Sequence, residues 1–122
     1  MSKTILIIDD AAAVRQVASI ALKGAGYEVV QAVDGKDALT KLDGQKIHLI
    51  ISDVNMPNMD GITFVKEAKK LAAYKFTPII MLTTESQESK KQEAQAAGAK
   101  AWIVKPFQPA QMLSAVSKLI LP

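Results

Sequence analysis

Cysteine is absent from the 122 residues, which excludes a disulfide scaffold, a zinc-thiolate site and a thiol nucleophile. Long hydrophobic runs are absent as well. Stretches such as Ile5–Ile8 and Ile79–Leu82 fall far short of the roughly 20 apolar residues a membrane helix needs. Met1-Ser2-Lys3 leads straight into a strand-like segment, with no apolar region ahead of a small-residue cleavage site, so a soluble, cytoplasmic protein is expected. Arginine is nearly missing: of 15 Lys plus Arg residues only Arg15 is arginine. The net charge of +3 and pI of about 9.2 would by themselves raise nucleic acid as a partner. Scattered lysines with a single forked guanidinium are a poor reader of phosphates and bases, and no nucleic acid is expected. No Pro/Gly/Ser-rich linker interrupts the chain, and the length fits one domain, expected to span 1–122 without an output domain. A chain of this size buries roughly 65% of its unfolded surface, enough for a core without staples.

What is present is an alternation. Short runs rich in β-branched residues occur at Ile5–Ile8, Glu28–Val30, Leu49–Ile51, Ile79–Leu82 and Trp102–Val104. Three of them are apolar throughout, as strands buried on both faces of a parallel sheet are. Helical spacing lies between them: Val14, Val17, Ala18, Ala21 and Leu22; Phe64, Val65, Ala68, Leu71 and Ala72; Met112, Val116, Leu119 and Ile120. Gly24, Gly26 and Gly98 stand where helices should stop, and Pro109 where the last should start. Five strands alternating with five helices predict an α/β fold, a doubly wound parallel sheet in the flavodoxin-like order 2-1-3-4-5. The stretch Glu85–Ala97 offers only Ala94, Ala96 and Ala97 as apolar residues. It is expected to be held loosely and to shift more readily than its neighbours.

On that framework Asp9 and Asp10 follow strand one, Asp53 ends strand three, Thr83 ends strand four and Lys105 ends strand five. All lie at carboxyl ends of strands, and in this order the topology reverses between strands one and three, where such folds bind ligands. Three carboxylates in one crevice repel one another and are costly to desolvate. A hard divalent cation with oxygen preference, Mg²⁺, is the usual remedy. With the Lys105 ammonium and the Thr83 hydroxyl added, the set suits a phosphoryl group, whose transfer needs positioning and charge neutralisation. Singly, each residue has a plainer reading. Asp9-Asp10 reads as a helix N-cap, Asp53 and Asp60-Gly61 as turn formers, Thr83 as a cap, Lys105 as a surface lysine. His48 reads as a solvated residue before strand three, and Met56 and Met59 as packing. Independent accidents should not all fall on one sheet edge.

These residues stand in the motifs Ile7-Ile8-Asp9-Asp10, Asp53-Val54-Asn55-Met56-Pro57-Asn58-Met59-Asp60-Gly61, Leu82-Thr83-Thr84 and Lys105-Pro106-Phe107. With them the chain resembles a response-regulator receiver domain of two-component signalling from about Lys3 to Leu121, and Ser52–Gly61 is particularly similar to the stand-alone chemotaxis receivers. The resemblance implies that Asp53 accepts a phosphoryl group from the phosphohistidine of a sensor histidine kinase, or from a small acyl phosphate. Asp10 would ligate Mg²⁺ (or Mn²⁺) directly, Asp9 through water, Asp53 by its carboxylate and Asn55 by its backbone carbonyl. Thr83 and Lys105 would contact phosphoryl oxygens, and Lys105–Pro106 would be a cis peptide. Trp102 would be the aromatic that follows Thr83 inward as the helix four, strand five and helix five face rearranges. A monomer is implied, with a phosphorylation-dependent target such as a flagellar motor switch protein. The chain departs from the usual pattern in carrying Trp102 for Tyr or Phe, Thr84 for Ala or Gly, and Ala11-Ala12-Ala13 where a larger residue is common.

A receiver serving another pathway, such as a phosphorelay, would share every one of these residues and differ in its target. A flavodoxin-like small-molecule enzyme would need a Gly-rich phosphate loop after strand one, where Asp-Asp-Ala-Ala-Ala stands. An inert pseudo-receiver would lack site residues that are present here. Asp9, Asp10, Asp53 and Lys105 sum to −2, so the remainder carries +5. Divided at Asp60, the first half is −2 (six cations, eight anions) and the second +5 (nine cations, four anions). An acidic surface on the target is therefore expected.

Overall fold

The three apolar runs become the centre of a five-stranded parallel sheet in a computed structural model that describes residues 2–84 and 88–120. The elements follow in the order β1 (Thr4–Ile8), α1 (Ala12–Gly24), β2 (Glu28–Ala32), α2 (Gly35–Lys41), β3 (Leu49–Asp53) and α3 (Gly61–Lys69). A single 3-10 turn at Ala72–Tyr74 leads to β4 (Ile79–Thr83), α4 (Glu88–Ala97), β5 (Ala101–Val104) and α5 (Pro109–Leu119). The strand order is β2-β1-β3-β4-β5, as expected. Residues 85–87, the start of the stretch read as helix four, lie outside the described residues. Among the described residues no helix is long and apolar enough to cross a membrane.

Alternation along each strand divides the core in two. Leu6, Ile8, Ile50, Ile79 and Met81 pack with Phe64, Val65 and Ala68 of α3, Ala38 of α2 and Ala94 of α4. Ile5, Ile7, Leu49, Ile51, Ile80, Leu82 and Ile103 pack with Ala18 and Leu22 of α1 and Met112 and Val116 of α5. Burying one such aliphatic side chain is worth about 1.5–3 kcal/mol, so the sheet is fastened from both sides. Met56 and Met59 pack against the first cluster, as read.

The helix limits differ from the spacing in two places. Leu71 and Ala72 do not continue the α3 stripe: after Lys69 the chain tightens into i→i−3 bonds, Lys70 N–H to Glu67 and Leu71 N–H to Ala68, and both side chains turn outward. Val17, on the apolar line predicted for the first helix, is 49% exposed, because Ala18 and Leu22 occupy the inward line of α1.

His48 is also corrected. It is half-buried rather than solvated, and its Nδ1 accepts the Thr4 N–H at 3.0 Å, closing the start of β1 against the entry to β3. Burial, with Lys3 and Lys46 nearby, holds the ring below the usual histidine range.

Candidate functional site

Register brings the reactive ends level. Ile8 pairs with Ser52, Asp53 with Leu82, and Thr83 with Val104, so the residues that end or follow these strands emerge along one edge. The backbone carries this pairing past the strand ends through Asp9 N–H to Ala32 (3.2 Å), Val54 N–H to Leu82 (3.2 Å) and Lys105 N–H to Thr83 (2.6 Å). Asp9, Asp53 and Thr83 are buried and Asp10 is exposed.

Lys105 Nζ lies 2.8 Å from Asp9 Oδ2 and 3.1 Å from Asp53 Oδ2. One ammonium thus bridges two buried carboxylates that arrive from opposite ends of the first half of the chain. Burial, then the Asp9 charge, pushes the Asp53 carboxyl above its usual range, and Lys105 only partly offsets them. For Lys105 itself burial opposes the charge, but Asp9 and Asp53 outweigh it and hold the ammonium above its usual range.

The Asp9-Asp10 pair is not the N-cap of α1. That position is Ala11, without a side-chain cap bond, while Asp9 Oδ1 accepts the Ala11 N–H at 2.9 Å. Asp9 is held in turn by Arg15, whose Nη1 donates to the Asp9 carbonyl at 2.6 Å and whose Nε donates to Gln31. Asp60 is likewise not a simple turn former: it caps α3, accepting the Thr63 N–H and hydroxyl, each at 2.9 Å.

Carboxylate oxygens of Asp9, Asp10 and Asp53 all lie within 4.8 Å of one another. Against three negative charges stands one ammonium, and every donor is a hard oxygen. The set therefore fits Mg²⁺ or Mn²⁺ rather than a soft metal. Asn55 lies two residues beyond Asp53, exposed in the loop before α3.

Sequence reasoning missed two supports of the site. Arg15 has one signal in the sequence, that it is the sole arginine. Gly61, beside Asp60, has the sequence signal of a turn. Its N–H donates to the Val54 carbonyl at 2.8 Å, and a Cβ there would sit 2.0 Å from the Asp53 carbonyl oxygen. Only glycine lets α3 start against the peptide that carries Asp53.

Residues 5–117 match the model of the response regulator receiver domain family. The chain belongs to this family. As a receiver it is 41% identical over 121 residues to the chemotaxis protein CheY of Bacillus subtilis, covering 98% of this chain and 99% of that one. Its fold matches the high-resolution structure of the chemotaxis response regulator CheY4 of Vibrio cholerae with a TM-score of 0.92 and 47% identity, over 98% of this chain and 99% of that one. It also matches the receiver domain of a sensor histidine kinase from Pseudomonas aeruginosa, solved with a magnesium ion coordinated in its active site cleft (TM-score 0.90, 25% identity, 98% of each chain).

In this receiver the Lys105–Pro106 peptide is cis, as the resemblance implied. Trp102 stands mid-strand opposite Met81 and packs against the core face that α3 and α4 cover. Thr84 is exposed and, with Val17, Pro106 and Phe107, lines an apolar hollow beside Lys105.

Proposed function

We propose that this receiver is a single-domain phosphorylation switch that takes a phosphoryl group on Asp53 from a sensor histidine kinase in the cytoplasm. The observation that carries the reading is the Lys105 ammonium held between Asp9 and Asp53 beside a three-carboxylate cluster. An Asp53 carboxylate oxygen attacks phosphorus in line, the Asp53 O–P bond forms, and the bond from phosphorus to the histidine nitrogen or acyl oxygen of the donor breaks. The product is a mixed anhydride. Asp9, Asp10, Asp53 and the Asn55 carbonyl would hold Mg²⁺ or Mn²⁺, which when bound supplies charge neutralisation at the phosphoryl oxygens. Lys105 leaves its bridge to Asp53 to pair with a phosphoryl oxygen while keeping Asp9, and the Thr83 hydroxyl donates to another. Self-phosphorylation from small donors and self-dephosphorylation use the same groups.

Each hydrogen bond to a charged group is worth about 1.5–3 kcal/mol. Moving a two-state population from 1:99 to 99:1 takes about 5.5 kcal/mol, so about two to four new contacts suffice. Thr83 moving inward makes room for Trp102, and the α4–β5–α5 face changes shape for a target. The chemotaxis names of the Bacillus and Vibrio relatives support a motility pathway with a flagellar motor switch protein as that target.

Incubation with Mg²⁺ and a small acyl phosphate, read by intact mass, is expected to give one phosphoryl adduct that Asp53→Asn abolishes. No adduct on the wild type, or an undiminished one on the variant, would overturn the mechanism.

A further inference from the structure

Three side chains of α4 turn toward the protein, at i, i+3 and i+6: Lys91, Ala94 and Ala97, with the other side chains described between Ser89 and Ala97 exposed. A lysine on the inward line of a helix this poor in apolar residues calls for a partner. The partner is Trp102, whose ring centroid lies 4.2 Å from Lys91 Nζ. The lysine stem covers apolar surface while its charge meets the indole face, and tryptophan is the aromatic that attracts a cation most strongly. The outward neighbour Lys90 pairs instead with Glu93 at 3.6 Å. Of the two features, one is a departure already visible in the sequence, Trp102, and the other is a charge that only the fold brings to it.

We propose that Lys91 is a positioning residue for Trp102. Its ammonium over the indole ties α4 to β5 in the unphosphorylated arrangement, and an inward turn of Trp102 must break that tie. Lys91 thereby sets how readily the switch is thrown, and it passes the movement of one ring to a whole helix. This rests on the receiver reading given above, in which Trp102 moves. At a partly exposed site a cation–π contact shifts an equilibrium by a factor of about 2–5.

Trp102 is the only tryptophan in the chain, so its fluorescence reads the step directly. The full chain, titrated with beryllofluoride at saturating Mg²⁺, is expected to respond at about 2–5-fold lower concentration once Lys91→Met removes the charge and keeps the stem. Lys91→Gln should shift the midpoint the same way, and Lys91→Arg, which keeps the cation, should restore the wild-type midpoint. Midpoints and basal emission identical in Lys91→Met and wild type would overturn the proposal, as would Lys91→Arg behaving like Lys91→Met. Intact mass after acyl phosphate separates the two levels: an adduct on every variant with no midpoint shift defeats the Lys91 role alone. No adduct on the wild type defeats the receiver reading and this one with it.

Discussion

Asp53 is placed where its own charge is unwelcome. Burial and Asp9 raise its affinity for a proton, and Lys105, shared with Asp9, does not compensate fully. A carboxyl whose folded pKa lies above its unfolded value near 3.8 contributes stability below that value and loses it as pH rises through the folded pKa. At pH 7 the ionised Asp53 therefore works against the fold. Replacing it by the neutral isostere removes that penalty and leaves Lys105 wholly to Asp9. Asp53→Asn is expected to be more stable than the wild type by on the order of 1 kcal/mol in urea melts at pH 7 with chelator present. Mg²⁺ should then narrow the gap, because a ligand that binds only the folded wild-type cluster stabilises it by mass action. A variant less stable than the wild type under chelation would mean that the Lys105 ion pair outweighs the crowding. The proposed phosphoryl acceptor would then also be a residue that holds the fold together.

The helices are anchored very unequally. Helix α3 buries Ile62, Phe64, Val65 and Ala68, whereas among the described side chains of α4 only Ala94 is buried. Each large apolar side chain buried is worth about 1.5–3 kcal/mol, so α4 should open at least ~2 kcal/mol more easily than α3. In native-state hydrogen exchange that is a difference of roughly 30-fold between the slowest amides of the two helices. Equal protection would show that the Lys91–Trp102 contact and the α3–α4 packing carry more than burial does. The sparse burial of α4 was legible in the sequence because composition alone limits what a helix can bury. The strands were legible for the opposite reason: Ile5–Ile8, Leu49–Ile51 and Ile79–Leu82 have no polar face to expose. The site followed from them, since Asp9, Asp10, Asp53, Thr83 and Lys105 sit at strand ends whose alignment the parallel order dictates. Hidden were features set by a distant partner. Nothing beside Arg15 in sequence announces the Asp9 carbonyl it holds, and nothing beside Gly61 announces the Asp53 peptide it must clear. Leu71 looked like core because its periodicity continued after the helix had ended.

Across the whole molecule the sheet has two edges with different tasks. The carboxyl edge gathers negative charge around Lys105. At the amino edge His48 joins the start of β1 to the entry of β3 through Thr4, with Lys3 and Lys46 near it. Burial foremost, then those two ammonium groups, disfavours an imidazolium there. Protonation would also occupy the Nδ1 lone pair that accepts the Thr4 N–H. Below the ordinary value of 6.5 the unfolded chain therefore takes up a proton more readily than the folded one. The stability this neutral histidine contributes is complete above 6.5 and is lost as pH falls from there toward the lower folded value. Urea melts between pH 7.5 and 5.5 are expected to show that decline in the wild type and a flatter profile in His48→Gln. Because His48 lies at the opposite edge from Asp53, the variant's phosphoryl adduct at pH 7.5 should match the wild type's in amount. A pH profile unchanged by His48→Gln would show that the acid sensitivity does not arise at His48. A lost adduct would show that the two edges are not independent, and that closing the first strand at its start helps hold Asp9 at its end.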